Sequence, residues 1–213
     1  MSAPLLIIGA TSGIGACAVK EAVGRGLSVR AFARSADKLE ATDLIEPFAG
    51  DARSGDDVSA ALKGARAVIC ALGIKERLAM LWEKETLFSD STRVLLESMK
   101  TSDTKRLVVV TGFGAGRSRS AMSSIERLGH GAILGRPYAD KDRQEEMITQ
   151  SDTDWTIARP VILTNGGKSR GFKVLRDPSK WRNGLVSRRD VAGYLVDAVE
   201  DGLDIRGDVV LAR

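Results

Sequence analysis

Short apolar runs recur along this chain, and longer segments with helical periodicity fall between them. The run Pro4-Leu5-Leu6-Ile7-Ile8 predicts a buried strand, and the stretch Ala16 to Val23 behind it predicts a helix. Further strands are predicted at Ser28–Ala33, Leu44–Ala49, Arg66–Leu72, Arg106–Thr111, Trp155–Arg159 and Asp208–Leu211. Helices are predicted over Asp56–Lys63, Thr86–Lys100, Tyr138–Gln150 and Arg188–Glu200. The strand runs are continuously apolar rather than alternating, as in strands covered on both faces. Strands that alternate with helices imply right-handed crossovers and a parallel sheet with a helical layer on each side.

Two stretches break this rhythm. Gly112 to Ser120 follows the fifth strand and is rich in glycine, serine and arginine, which predicts a mobile loop. Asn165 to Leu185 follows the sixth and predicts a small hairpin. Both fall at the carboxyl edge of the expected sheet, where open α/β sheets bind ligands, so both are expected to hold substrate. The chain shows no internal repeat, linker or second domain, and residues 1–213 read as one domain.

The first strand runs directly into Gly9-Ala10-Thr11-Ser12-Gly13-Ile14-Gly15. One glycine permits a sharp exit from the strand, the next lets main chain approach a pyrophosphate, and the third lets the helix pack close to the sheet. The free N–H groups at the start of the helix then favour a phosphate. A glycine triplet alone is a weak signal, but the strand–turn–helix context makes it specific for a dinucleotide. The fold class that follows is the doubly wound parallel sheet of the Rossmann type, flanked by helices, with a small substrate-side segment near the C-terminus. The second strand ends Phe32-Ala33-Arg34-Ser35, with no acid until Asp37. An arginine in place of the usual carboxylate favours NADP, because its guanidinium pairs with the 2′-phosphate and Ser35 adds a hydroxyl.

Composition narrows the rest. The apolar fraction is 43% and the charged fraction 28%, as in soluble globular proteins. No apolar stretch is long enough to span a bilayer and no basic leader precedes the first strand, so a cytoplasmic location without membrane association is expected. Cys17 and Cys70 are expected to be small buried hydrophobes. His130 is the only histidine, which excludes a His-based triad, and no metal-ligand spacing is present. The net charge of +4 is unevenly placed: Lys168, Arg170, Lys173, Arg176, Lys180, Arg182, Arg188 and Arg189 are opposed locally only by Asp177. That segment reads as a solvated surface or a site for an anionic substrate or acidic partner; no nucleic-acid motif accompanies it.

Taken together these residues resemble the atypical short-chain dehydrogenase/reductase superfamily, in the NAD(P)H-binding group of NmrA-like proteins and biliverdin reductase B-like flavin reductases. Gly9, Gly13 and Gly15 match the cofactor turn, with Thr11, Ser12 and Ile14 between them, and Arg34 matches the family's arginine after the second strand. Gly50-Asp51-Ala52 matches a Gly-Asp whose acid reaches the adenine, and Ala71-Leu72-Gly73 a segment beneath the riboses. Trp155 to Pro160, with Val161 behind it, and Val186 to Ala192 match two further motifs. The resemblance implies that Gly9, Thr11, Ser12, Gly13, Ile14, Gly15, Arg34, Ser35, Asp51, Ala52, Ala71, Leu72, Gly73, Pro160 and Val161 bind the cofactor, together with Thr111 and Lys141.

Tyrosine-dependent members of the superfamily use a Ser or Thr after the fifth strand and a Tyr-x-x-x-Lys pair on the next helix. Thr111 occupies the first position. Ungapped alignment from Trp155 places Glu145 on the family's helix glutamate and Lys141 on its lysine, but puts Pro137 where the tyrosine belongs, with Tyr138 one residue late. Two readings stand. Tyr138 and Lys141 share a helix face and act as donor and orienter, Lys141 also touching the ribose. Alternatively Tyr138 only opens the helix behind Pro137, and Lys141 is a surface lysine. Tyr194 reads as structural.

The leading expectation is an NADPH-dependent reductase of a small planar or anionic acceptor such as a flavin (FMN or FAD), a quinone or a related carbonyl compound. Hydride transfer to such acceptors needs proximity more than a dedicated acid. Phe113 is either a wall of the acceptor site or an ordinary packing residue. The alternatives are a non-enzymatic NADP(H)-responsive binding protein of the NmrA kind and, less well matched, a sugar-nucleotide epimerase or dehydratase. A monomer or homodimer fits the chain, the apolar face of the Thr86–Lys100 helix being available either to the sheet or to a second copy.

Overall fold

The computed structural model describes residues 3–73, 86–122, 138–169 and 171–213. In chain order the elements are β1 (Leu5–Ile8), α1 (Gly13–Gly24), β2 (Val29–Ala33), β3 (Ile45–Ala49), α2 (Gly55–Leu62), β4 (Ala67–Cys70) and α3 (Leu87–Lys100). After β5 (Arg106–Val110) comes a helix, α4, helical over 138–149 among the described residues. β6 (Asp154–Pro160), β7 (Ile162–Thr164), β8 (Lys173–Leu175), β9 (Leu185–Ser187), α5 (Arg188–Glu200) and β10 (Gly207–Ala212) complete the chain.

The main sheet has eight strands in the order β3-β2-β1-β4-β5-β6-β10-β8. All neighbours are parallel except β8, which runs antiparallel to β10. Strand alternation divides the core in two. Leu5, Ile7, Val108 and Val110 face one layer with Ala18 and Val19 of α1 and Tyr194 and Leu195 of α5. Leu6, Ile8, Leu107 and Val109 face the other with Val58 of α2, Leu95 and Met99 of α3 and Ile148 of α4. This is the doubly wound α/β fold. Its order reverses between β1 and β4, which opens a crevice at their carboxyl ends.

The apolar face of α3 belongs to the second layer: Leu95, Leu96 and Met99 are buried there rather than presented to a second copy. Cys70 is buried in β4, its thiol pushed up to about 11 by burial, whereas Cys17 is only half-buried. Tyr194 is structural: 2% exposed, it donates to Asp204 at 2.7 Å. The expected hairpin in 165–185 does not form. β8 instead joins the main sheet through β10, and β7 pairs in parallel with β9 as a separate ladder. The free edge of β10 offered β8 a longer partner than the segment offered itself.

The start of α3 is capped from outside. Asp140 of α4 is fully buried, and its Oδ2 accepts the N–H groups of Phe88 at 2.8 Å and Ser89 at 3.3 Å. These are orphan donors of the first helical turn, so one carboxylate stabilises a helix end and fixes α4 against α3. Replacing Asp140 by alanine is expected to cost about 1–3 kcal/mol, as loss of a buried cap does. Urea unfolding of Asp140→Ala checks this; a midpoint equal to wild type would exclude the role.

Candidate functional site

The glycine turn is built by close approach of main chain. Gly9 has φ 87°, and a Cβ there would lie 2.7 Å from the Ala71 carbonyl oxygen at the end of β4. A Cβ on Gly15 would lie 2.1 Å from the Gly9 oxygen. No side chain is tolerated at either place, so the turn, α1 and the β4 end fit together only as drawn. Gly13, at φ 57°, has open space around its Cβ position. Ser12 is the extended N-cap of α1, makes no side-chain cap, and no acid lies in the first turn. The first N–H groups of α1, near the exposed Ser12 and Gly13, therefore lack an internal anion, an arrangement of the kind that suits a phosphate. Ile14 and Gly15 are buried beneath them.

The end of β2 meets this turn. Ser35 donates its hydroxyl to Thr11 at 3.2 Å, which ties the strand end to the glycine loop. Arg34 beside it is exposed and makes no hydrogen bond or ion pair among the described residues. Asp51 is half-buried and already engaged: Arg53 donates to it from its backbone at 2.9 Å and its guanidinium at 3.0 Å. Hydrogen bonds from Arg53, helped by the nearby Arg34 charge, hold the Asp51 carboxyl below its usual range. Ala52 and Ala71 are buried, Leu72 is half-buried and Gly73 is exposed.

At the neighbouring β5 end the shifted pair comes together. A Cβ on Gly112 would lie 2.9 Å from the Tyr138 hydroxyl and 3.4 Å from Lys141 Nζ. Lys141 donates to the Thr111 carbonyl at 2.6 Å and sits 4.9 Å from the Phe88 ring centroid and 5.5 Å from that of Tyr138. Burial presses the Lys141 ammonium down to about 8, partly countered by the Glu145 charge. Burial, and then the same Glu145, push the Tyr138 hydroxyl up to about 12. Tyr138 therefore stands protonated at neutral pH. The Thr111 hydroxyl does not face this group: it is buried and donates to Glu145 at 2.6 Å. Pro160 and Val161 close the β6 end, Pro160 accepting the Phe113 N–H at 3.0 Å and Val161 donating to Leu211 at 3.2 Å. Pro137, on which the helix-start reading of Tyr138 relies, lies outside the described residues, as do His130 and Arg170.

Behind the pair lies a buried ion network that the sequence reading did not assemble. Arg159 is 1% exposed; it donates to both oxygens of Glu145 at 2.9 and 2.7 Å and to Asp208 at 2.5 Å. Arg117 also pairs with Asp208, and Trp181 lies under both guanidiniums. The available signal was an arginine inside an apolar strand, which demands a buried acid.

The two irregular segments differ from expectation. The 112–122 stretch closes on itself and on α4: Gly116 donates to Asp142 at 2.7 Å and Gly114 to the Ser118 hydroxyl at 2.8 Å. Phe113 is 5% exposed and packs in the core, so it is no wall of an acceptor site. The basic segment is opposed by more than Asp177, because folding brings Glu21 to Lys168 at 2.9 Å and Asp204 to Arg176 at 2.6 Å. Among the described residues no acid, cysteine and histidine cluster suits a metal ion, and no helix is long and apolar enough to cross a membrane.

Residues 9–202 match the family model described as NAD(P)H-binding. TIC 62, a chloroplastic protein of Pisum sativum, is 24% identical over 176 residues, which are 73% of this chain and 32% of that protein. The chain thus spans about a third of the length of that curated relative. Among solved structures, an anaerobillin reductase of Escherichia coli O157:H7 superposes with TM-score 0.79 at 23% identity, covering 98% of this chain and 96% of that one. A short-chain dehydrogenase/reductase of Veillonella parvula in complex with NADP superposes with TM-score 0.82 at 15% identity, covering 100% and 95%.

The depressed Lys141 pKa has a sign that can be tested. Below pH 8 the lysine is charged in both folded and unfolded chains, and the folded state carries the unfavourable charge. Between pH 8 and the unfolded value of about 10.4 the folded state loses its proton first, so wild-type stability rises with pH relative to a variant lacking the group. The unfolding free energy of wild type minus that of Lys141→Met is expected to increase across this window. A difference that stays flat from pH 7 to 10.5 would rule out a buried ammonium.

Proposed function

The chain belongs to the NAD(P)H-binding family, and we propose that it is an NADPH-dependent reductase of a small planar or anionic acceptor: a flavin such as FMN or FAD, a quinone, or a related carbonyl compound. The observation that carries this reading is the meeting of the Tyr138 hydroxyl and Lys141 ammonium over Gly112, one strand away from the glycine turn. Such a pair supplies a donor for acceptors that develop charge on oxygen, while flavins and quinones need only to lie beside the cofactor at that strand end. The NADP complex of the Veillonella protein and the reductase activity in the name of the Escherichia protein are consistent with it.

In this reading the α1 N-terminus with Thr11 and Ser12 holds the pyrophosphate, and Arg34 with Ser35 holds the 2′-phosphate. Asp51 and Ala52 border the adenine. Ala71, Leu72 and Gly73 underlie the riboses, and Pro160 and Val161 flank the nicotinamide end. When bound, the nicotinamide supplies the hydride. Lys141 orients the ribose while its ammonium stays on the Thr111 carbonyl. Tyr138 holds a proton above Gly112 for acceptors whose reduction develops charge on oxygen. Thr111 acts through Glu145, as a positioning residue for α4.

Arg34→Ala is expected to weaken NADPH binding about tenfold or more while NADH binding stays within about twofold, because a charge-assisted pair to a phosphate is lost. Equal losses for both cofactors would remove Arg34 from the phosphate. NADPH oxidation is then followed with FMN, FAD, quinones and simple aldehydes. Tyr138→Phe is expected to keep flavin and quinone turnover within about threefold and to reduce aldehyde turnover about 10²-fold. Tight NADPH binding with no turnover across this panel would instead support the sensor reading.

A further inference from the structure

The β7–β9 ladder borders a cavity of about 440 Å³ that the cofactor assignments leave unused. Its lining includes Thr164, Lys168, Ser169, Leu185 and Arg213. The Ser169 Oγ is buried and has no hydrogen-bond partner. A buried hydroxyl without a partner forfeits the hydrogen bonds it makes in water, so its isolation calls for a missing group. Ser169 is among the residues that line the cavity, and a rotation about χ1 can re-aim such a hydroxyl.

The surroundings define that group. The backbone N–H of Ser169 is taken by Asp190 at 2.9 Å, which anchors the turn to the start of α5 but leaves the hydroxyl unclaimed. Lys168 is 55% exposed and reaches only Glu21, at 2.9 Å, through an ion pair open to solvent. Exposed pairs of this kind are weak, and a long lysine exchanges them readily. Gly166 and Gly167 leave main chain uncovered on the same wall. A hydroxyl donor, an ammonium and an arginine around one cavity suit an anion. Leu185 of the lining belongs to an exposed apolar pair on the ladder. Ile162 and Leu185 are register partners on the ladder and are 58% and 54% exposed.

Distance links this cavity to the reducing site. Thr164 follows Pro160 by four residues, so its Cα lies within about 14 Å of the β6 end, the span of a short phosphorylated or carboxylated arm. We propose that this cavity is the subsite for an anionic arm of the acceptor, phosphate or carboxylate, and that Ile162 and Leu185 carry the acceptor's apolar body. The inference rests on the reductase reading and narrows its acceptor to an amphipathic molecule with one acidic end.

FMN and riboflavin differ only in a terminal phosphate and form a matched pair of probes. Affinities for both are measured by flavin fluorescence quenching with NADP present, in wild type, Lys168→Ala and Ser169→Ala, beside NADPH oxidation. FMN is expected to bind about tenfold or more tighter than riboflavin, with the ratio falling below about threefold in either variant. Inorganic phosphate or acetate, added as a competitor, should erase the same ratio, and whichever acts at lower concentration identifies the acid group. Equal affinity for the two flavins in wild type, no flavin binding at all, or a ratio that both variants leave intact would overturn the subsite. Because binding is read without turnover, the two ideas fail separately. A variant-sensitive FMN preference with no NADPH oxidation defeats the reductase and keeps the subsite. Oxidation of NADPH by riboflavin and FMN with equal affinity does the reverse.

Discussion

The arrangement of the carboxyl edge depends on one buried guanidinium. Arg159 lies in the middle of the sheet, in the strand that joins β5 to β10, where an unpaired charge would be intolerable. Its three donor positions are met by Glu145 from α4 and Asp208 from β10. A buried ion pair adds little net stability over an apolar core, but it fixes which elements must meet. Glu145 cannot leave Arg159 without stranding both charges, so α4 is held at one height along the sheet. Tyr138 lies seven residues, about two turns, before Glu145 and Lys141 four residues before it, which places both above the β5 end. The same Glu145 takes the Thr111 hydroxyl and sets the field felt by both groups. A Cβ on Gly116 would fall 1.9 Å from Glu145 Oε2, so the 112–122 loop is shaped to the same acid.

The network also joins the two irregular segments. Arg117, from the loop after β5, and Trp181, from the basic segment, meet over Asp208 and Arg159. Trp181 is buried and donates its indole N–H to Leu175 of β8 at 2.9 Å. Substrate-side chain is thereby tied to the sheet by cation–π contacts rather than by strand pairing within the segment. Such contacts are strongest where water is excluded, as it is at the buried Arg159; Arg117 is 65% exposed.

Much of this was legible in the sequence because it follows from short-range rules. The glycine turn could be read from Gly9, Gly13 and Gly15 because close backbone approach at Gly9 and Gly15 and the positive φ at Gly9 and Gly13 favour glycine. The buried strands could be read because a strand covered on both faces is apolar at every position. What escaped were matters of long-range pairing. Asp208 lies forty-nine residues from Arg159, and nothing in the local pattern of Gly207 to Ala212 distinguishes that acid from a solvated one. The partners of β8 and of the basic side chains likewise depend on which surfaces the fold happens to bring alongside. Phe113 admitted two readings, and the structure takes the packing one, its ring buried in the core and its N–H donating to Pro160.

The displacement of the tyrosine by one residue bears on chemistry more than on placement. Tyr138 still shares a face with Lys141, and its hydroxyl still overhangs Gly112. What differs is the balance of charge around it. The lysine ammonium is drawn to the Thr111 carbonyl, and burial, followed by the Glu145 carboxylate, pushes the phenol hydroxyl up to about 12. A donor raised in this way gives up its proton less readily than one beside an unopposed cation. Acceptors that must be protonated as hydride arrives are therefore disfavoured relative to those that spread negative charge over a conjugated ring and take a proton later from solvent. In the proposed reductase, the geometry that brings Tyr138 to the site would therefore favour flavins and quinones over isolated carbonyl groups.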